Sequence, residues 1–280
     1  MSSQCRYSRD VSRIRLRVTR QPMSKQLFFA FAAAFLGEAA SGQVPGNPAC
    51  GLSSLTGTYA FIHDGIVFES NTHMAEVGVA RFDGKGRWGH EATLMSNGEV
   101  RRLKADGTYR VNADCTGSAE LHGAQSQVFT VDFVVLKGGS EVIQVATRTD
   151  RSVMWEMRKQ GRDRCSNATI QGSYAIRLSG FDLKGDPKVG VGVGTFDGRG
   201  TWSLKLTEVG RGAPVRHIDN PKGTYSVSAD CTASASLPGT AVGDANWSVV
   251  IAGGGEEVFG IATTPPRGAV LWVLERQFPR

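Results

Sequence analysis

Two histidines, His63 and His90, are the residues of this sequence best suited to chemistry. Each lies among alternating apolar residues, and a second, similar segment later in the chain has Leu178 and Leu204 in their places. An imidazole changes charge between about pH 5 and 8, and it can act as an acid, a base or a hydrogen-bonding group. Because natural chains keep such local conflicts mainly at functional sites, the two histidines indicate a polar site inside an apolar surrounding.

Four more residues are candidates to face a ligand beside these histidines: Arg81, Glu141, Trp88 and Trp155. A buried charge without a partner is energetically costly. Arg81 and Glu141 must therefore form ion pairs, shift their pKa or lie at a solvent-filled end of the barrel. The same residues would also suit a solvated rim or ordinary hydrogen bonds in a core. We assign no catalytic residue and expect no cofactor. A metal ion would need a third ligand that converges with the histidines, and none is evident.

The chain contains two copies of one sequence, at 50–160 and 165–277. CGLSSLTGTYAFI matches CSNATIQGSYAIRL, RFDGKGRW matches TFDGRGTW, and GTYRVNADCTGSAEL matches GTYSVSADCTASASL. A repeat of this length indicates a duplicated domain and not a solenoid. The linker at 161–164 is short, so we expect the two domains to pack on each other.

Short alternating segments broken by Gly, Asn and Asp indicate an all-β fold with eight or nine strands in each copy. Their order favours two tandem small antiparallel up-and-down β-barrels, although a sandwich of the same strands would have a similar sequence. An even residue count in the loop at Asp83-Gly84 would place Val77, Val79 and Arg81 on the inward face with Trp88 and His90. The other residues expected to face inward in the first copy are Tyr59, Phe61, Val131, Phe133, Val135, Ile143, Val145, Val153, Trp155 and Met157, with Glu141 on the same face as Ile143.

GTYAF, RFDGKGRWG, GTYRVNADCTGS and the closing VMWEMRKQ resemble the bacterial allene oxide cyclase barrel-like domain, a calycin-type β-barrel. The resemblance covers both copies and rests mainly on turns and strands, so it implies a fold more than a chemistry. Allene oxide cyclases proper are plant isomerases that shape an unstable fatty-acid epoxide in an apolar cavity. No functional residue of theirs can be aligned to a position of this chain.

Residues 1–42 contain a secretory signal peptide by pattern. Lys25 is followed by the apolar run LFFAFAAAFLG and then by small residues up to Gly42, and Met23 would begin a leader of normal length. The other interpretation is a buried helix. An apolar run this short does not suit a membrane span. We therefore expect a periplasmic or secreted protein.

Export changes the interpretation of the cysteines and of the charge. Cys50, Cys115, Cys165 and Cys231 remain after cleavage, and the repeat predicts the disulfides Cys50–Cys115 and Cys165–Cys231 if each copy folds independently. Most of the net charge of +6 belongs to the leader, so the body is close to neutral. A nearly neutral body argues against a nucleic-acid partner.

Three classes of function fit these observations. The first is a non-catalytic binding module for a small apolar ligand in a barrel mouth. The second is an isomerase that works, like allene oxide cyclase, in an apolar cavity. The third is a structural or surface-interaction protein whose barrels are filled by their own side chains. Because only the first copy has the two histidines, we expect the ligand to bind in the first barrel. We also expect that replacing both histidines by leucine keeps or raises the stability of the protein.

We predict that the exported protein begins near Gln43, because the small residues that precede it complete the export pattern. N-terminal sequencing of the extracytoplasmic protein tests this. A chain that still begins at Met1 or Met23 would contradict it.

Overall fold

The computed structural model describes residues 49–123, 128–161, 164–240, 243–264 and 268–278. The predicted leader lies outside these residues. Within the described ranges, no helix is long and apolar enough to span a membrane.

The described chain forms two closed antiparallel barrels of eight strands each, as predicted. In both barrels each strand pairs with the next one along the chain, and the last strand pairs with the first. The first barrel consists of β1 Thr56–Val67, β2 Thr72–Asp83, β3 Arg87–Ser96, β4 Glu99–Val111, β5 Thr116–His122, β6 Val128–Leu136, β7 Glu141–Ala146 and β8 Arg151–Lys159. The second consists of β9 Gly172–Phe181, β10 Pro187–Phe196, β11 Thr201–Gly210, β12 Arg216–Val227, β13 Thr232–Thr240, β14 Gly243–Ala252, β15 Glu257–Thr264 and β16 Val270–Arg276.

A short 3₁₀ turn precedes each barrel, at Leu52–Ser54 and at Asn167–Ile170. In the first barrel Tyr109 Oη donates a hydrogen bond to Leu55 O at 3.0 Å, which fixes this turn against the strands. The disulfides are Cys50–Cys115 and Cys165–Cys231, so the predicted pairing is confirmed. Each disulfide therefore ties the start of its own copy to a turn within the same barrel.

The hairpin between β2 and β3 shows that the predicted inward face of β2 was wrong. Phe82 pairs with Trp88 and Ala80 pairs with His90, so an odd number of residues separates the partners. The Asp83 side chain holds this three-residue turn by accepting the backbone N–H of Lys85 at 2.7 Å. The inward residues of β2 are therefore Glu76, Gly78, Ala80 and Phe82, while Val77, Val79 and Arg81 face outward.

The inward face of β7 needs the same correction. Val135, which faces the lumen, pairs with Val142, so Val142 and Gln144 face inward. Ile143 and Val145 were expected inside, but they lie outside, 39% and 48% exposed. When both faces of a strand carry apolar residues, the alternation of apolar and polar residues does not show which face points inward. The prediction for β7 was wrong for this reason.

The two barrels pack on each other, as expected, through a buried apolar cluster that includes side chains on the outer faces of both. Its members are Ala60, Ile62, Ala75, Val77 and Met95 of the first barrel, and Val250, Ala252, Phe259, Ile261, Ala269, Leu271 and Val273 of the second. At the edge of the interface, Arg158 Nε lies 3.6 Å from a Glu141 carboxylate oxygen and 3.4 Å from a Glu257 carboxylate oxygen. Burial raises the pKa of the Glu257 carboxyl, and Arg158 partly offsets that rise.

We predict that Phe259→Ala destabilises the protein by about 3–5 kcal/mol, because it opens a cavity between the barrels. Val191→Ala is the matched control on an outer face that no barrel covers. Its side chain is 68% exposed, and the change is expected to stay within about 0.5 kcal/mol. Equilibrium unfolding in urea measures both values. Equal losses for the two variants would show that the interface does not stabilise the fold.

Candidate functional site in the first barrel

One lateral row of the first barrel carries a set of polar side chains into the lumen. Gln144 on β7 pairs with Trp155 on β8, Trp155 pairs with His63 on β1, and His63 pairs with Glu76 on β2. His90 enters from β3. All five are inward positions of their strands, so barrel closure brings them together although they are distant in sequence.

The Glu76 carboxylate lies between the two imidazoles. Its Oε2 is 2.5 Å from His63 Nδ1, and its Oε1 is 2.7 Å from His90 Nε2. The side chains are almost fully removed from solvent, with exposed fractions of 3% for His63, 4% for Glu76 and 6% for His90. Both carboxylate oxygens therefore have a ring nitrogen as their partner inside the barrel.

Two opposing effects set the ionisation of Glu76. Burial disfavours the charged carboxylate and by itself raises the pKa. The charges of His90 and His63 and their hydrogen bonds act in the opposite direction and lower the pKa of Glu76 to about 2. The carboxylate is therefore ionised at neutral pH, and it orients both rings through the nitrogen that faces it.

Besides His63 Nδ1, which lies against the Glu76 carboxylate, four buried polar atoms of this row have no hydrogen-bond partner among the described residues. They are His63 Nε2, His90 Nδ1, Gln144 Nε2 and Trp155 Nε1. A buried polar atom that stays unpaired costs about 1–3 kcal/mol, so four of them in one lumen are unusual for a purely structural core. When an imidazole is neutral and donates its single N–H to Glu76, its outer ring nitrogen is an acceptor, while the indole and the amide are donors.

Aromatic side chains surround the polar row. The Phe61 ring lies 4.6 Å from the His90 ring, and the Trp155 ring lies 4.8 Å from the His63 ring, measured between centroids. Trp88 meets His90 edge-on at 6.2 Å. The site therefore presents a few hydrogen-bonding atoms within apolar walls, the composition typical of small-molecule sites.

The second barrel lacks this site although it has the same strands and register. At the positions of His63, Glu76 and His90 it has Leu178, Gly190 and Leu204, in the same cross-strand pairings. Gly260 pairs with Trp272 where Gln144 pairs with Trp155. Only the tryptophan of the row is retained, so the fold does not require the polar residues.

Four of the six candidate residues lie in the lumen of the first barrel: His63, His90, Trp88 and Trp155. Arg81 and Glu141 do not. Arg81 faces outward because of the odd hairpin register, and it pairs with Glu91 at 3.4 Å. Glu141 lies outside with Ile143, where Lys137 contacts it at 2.5 Å.

Glu76 and Gln144 were missed because the parity of β2 and β7 was assigned wrongly. A signal for Glu76 was present, since Gly190 replaces it in the second copy just as leucine replaces the histidines. Among the residues that the structure describes, no group of three or more His, Cys, Asp or Glu is arranged to hold a metal ion.

No family model matches the sequence, and a search of curated proteins finds no relative. Two solved structures show a distant likeness. Kievitone hydratase from Nectria haematococca is 7% identical with a TM-score of 0.29, over 85% of this chain and 95% of that one. A protein assigned as AttH from Nitrosomonas europaea is 7% identical with a TM-score of 0.29, over 83% and 98%. Similarity this low transfers no function.

The position of Glu76 reverses our expectation for the leucine variants. We predict that His63→Leu with His90→Leu destabilises the protein by about 3–5 kcal/mol, because Glu76 stays buried without its partners. Adding Glu76→Met is expected to recover most of the loss, since a buried charged group replaced by apolar residues is often neutral for stability. Urea unfolding compares the double and triple variants.

The pH dependence provides the control. The pKa of the Glu76 carboxyl is lower in the folded protein than in the unfolded chain, so the ionised carboxylate stabilises the fold when the pH is above the unfolded pKa. This stability is lost as the pH falls from about 4.5 to about 2. The triple variant should lack this loss at Glu76 and decline less than the wild type over that window. A triple variant no more stable than the double one would show that the carboxylate is not the cause.

Proposed function

We propose that the first barrel is a binding module for a small, mostly apolar ligand whose polar group is held by His63, His90, Gln144 and Trp155. The observation that carries the proposal is that four buried polar atoms in the lumen of the first barrel have unused hydrogen-bonding capacity, whereas the second copy has leucine or glycine at three of the four positions. The inward side chains of this barrel are almost all buried, so the ligand must be small or reach the row with one end.

The arrangement favours a ligand group that both donates and accepts hydrogen bonds, such as a hydroxyl. The outer nitrogen of His63 or His90 would accept its proton, and Trp155 Nε1 or Gln144 Nε2 would donate to its oxygen. Phe61 and Trp88 would contact the apolar part of the ligand. Glu76 acts as a positioning residue, because it fixes the two rings without needing to touch the ligand.

We infer that the protein works outside the cytoplasm and belongs with the calycin-type barrels similar to allene oxide cyclase. Two disulfides within small barrels suit an oxidising compartment, and the leader pattern agrees with it. The near-neutral body makes a nucleic-acid partner a poor fit.

A second candidate function is an acid–base isomerase, favoured by the carboxylate behind each imidazole. A ring oriented by Glu76 could take a proton from one carbon of a bound substrate through its outer nitrogen and return it to another carbon. Trp155 and Gln144 could stabilise an oxyanion formed between the two steps. Turnover of a supplied substrate separates this candidate from simple binding.

Native mass spectrometry of the full chain purified from its own host tests the binding proposal. We expect the wild-type protein to retain a small molecule that is absent from the triple variant His63→Leu, Glu76→Met, His90→Leu. Val191→Ala, on the exposed face of the second barrel, is the matched control and should retain the molecule.

Trp155→Phe adds a finer test, because it removes one donor and keeps the aromatic wall. It should weaken retention without destabilising the barrel strongly. A wild-type protein that carries no ligand, or a triple variant that carries the same ligand, would favour the remaining interpretation of a structural protein with filled barrels.

A further inference from the structure

The second barrel contains an apolar cavity of about 40 Å³ within its lumen. Three tryptophans contribute to its wall together with aliphatic side chains from several strands, among them Trp202, Trp247, Trp272, Ile176, Val249 and Leu274. No acidic, basic or histidine side chain is among the residues that line it. A charged ligand would therefore be disfavoured, and this cavity differs chemically from the polar row of the first barrel.

A glycine lines this cavity at a position where the first barrel has a larger side chain. Gly260 lines it at the strand position where the first barrel has Gln144. A Cβ added at Gly260 would meet its nearest atom, Ser248 O, at 3.6 Å, which is an ordinary contact distance. Neither backbone conformation nor crowding requires glycine here, so this position of the cavity wall can accept a side chain.

One indole N–H in the cavity wall has no hydrogen-bond partner among the described residues. It belongs to Trp247, which is 6% exposed. Trp202, also in the wall, donates its Nε1 proton to Ser236 O at 3.1 Å. At the Trp247 position the first barrel has Val131, so the first copy has no donor at this position.

We propose that this cavity is a separate binding site for a small uncharged molecule, mostly apolar, with one hydrogen-bond acceptor to which Trp247 Nε1 donates. About 10–15 Å³ of such space holds one water molecule, so the cavity has room for about three waters or a molecule of about four non-hydrogen atoms. The Trp247 ring meets Trp202 and Trp272 edge-on at 5.6 Å and 5.4 Å, so its orientation is fixed by packing. The site does not depend on the function proposed for the first barrel.

Acetone and isobutene are suitable probes, because they share a shape and differ in the acceptor. Titration of the full chain, followed through the indole N–H signals in ¹H–¹⁵N NMR spectra, measures binding of each. We expect acetone to shift the Trp247 signal saturably. In Trp247→Phe, read through Trp202 and Trp272, the ratio of acetone to isobutene affinity should fall about two- to tenfold, the worth of one hydrogen bond.

Filling the cavity is the second arm of the test. Gly260→Leu should abolish binding of both probes, whereas Ile143→Ala, on the exposed face of the first barrel, should leave both affinities unchanged. If Gly260→Leu does not fold, Gly260→Ala provides the test instead. Its Cβ fits at this position and is expected to weaken binding of both probes.

Absence of a saturable shift with either probe, or binding that survives a folded Gly260 variant unchanged, would overturn the site. An affinity ratio unchanged in Trp247→Phe would overturn the assignment of Trp247 as the donor.

Discussion

A closed sheet has one interior, and the parity of each strand decides which half of its side chains enters that interior. Both barrels obey this constraint with the same register, and they place an aromatic cluster at corresponding positions: Phe82, Trp88 and Tyr109 in one, and Phe196, Trp202 and Tyr225 in the other. With the frame fixed, a few inward positions can change without changing the fold. The two lumens therefore differ in chemistry while the walls remain alike.

The Glu76 carboxylate determines what its neighbours must be. An ionised carboxylate in an apolar lumen is tolerated only with close partners, and His63 and His90 supply one for each oxygen. The second copy has none of the three, so the cluster is present or absent as a unit. The second lumen, which has glycine at the Gln144 position, is apolar and contains a cavity. One sheet architecture thus holds a polar site in one copy and an apolar cavity in the other.

The repeat allowed the fold, the disulfides and the lumen positions of His63, His90 and Trp155 to be predicted from sequence. The inward faces of β2 and β7 could not be predicted from sequence, because both faces of these strands carry apolar residues. Val77 is apolar since the second barrel covers it, and alternation within one copy contains no information about that contact. Glu76 was not recognised as a lumen residue because the wrong face of β2 was predicted to point inward. Comparison of the copies position by position, Glu76 against Gly190, would have found it without any parity assignment.

The ionisation of Glu76 inside the folded barrel tests the account most directly. Titration of its side-chain carboxyl carbon by ¹³C NMR, assigned with Glu76→Gln, measures the pKa in the native protein. We predict that the carboxylate, held by both imidazoles, stays ionised until the pH approaches about 2. A pKa at or above the ordinary value of 4.5 would contradict it, because burial would then outweigh the histidines and the cluster would not be a charged site.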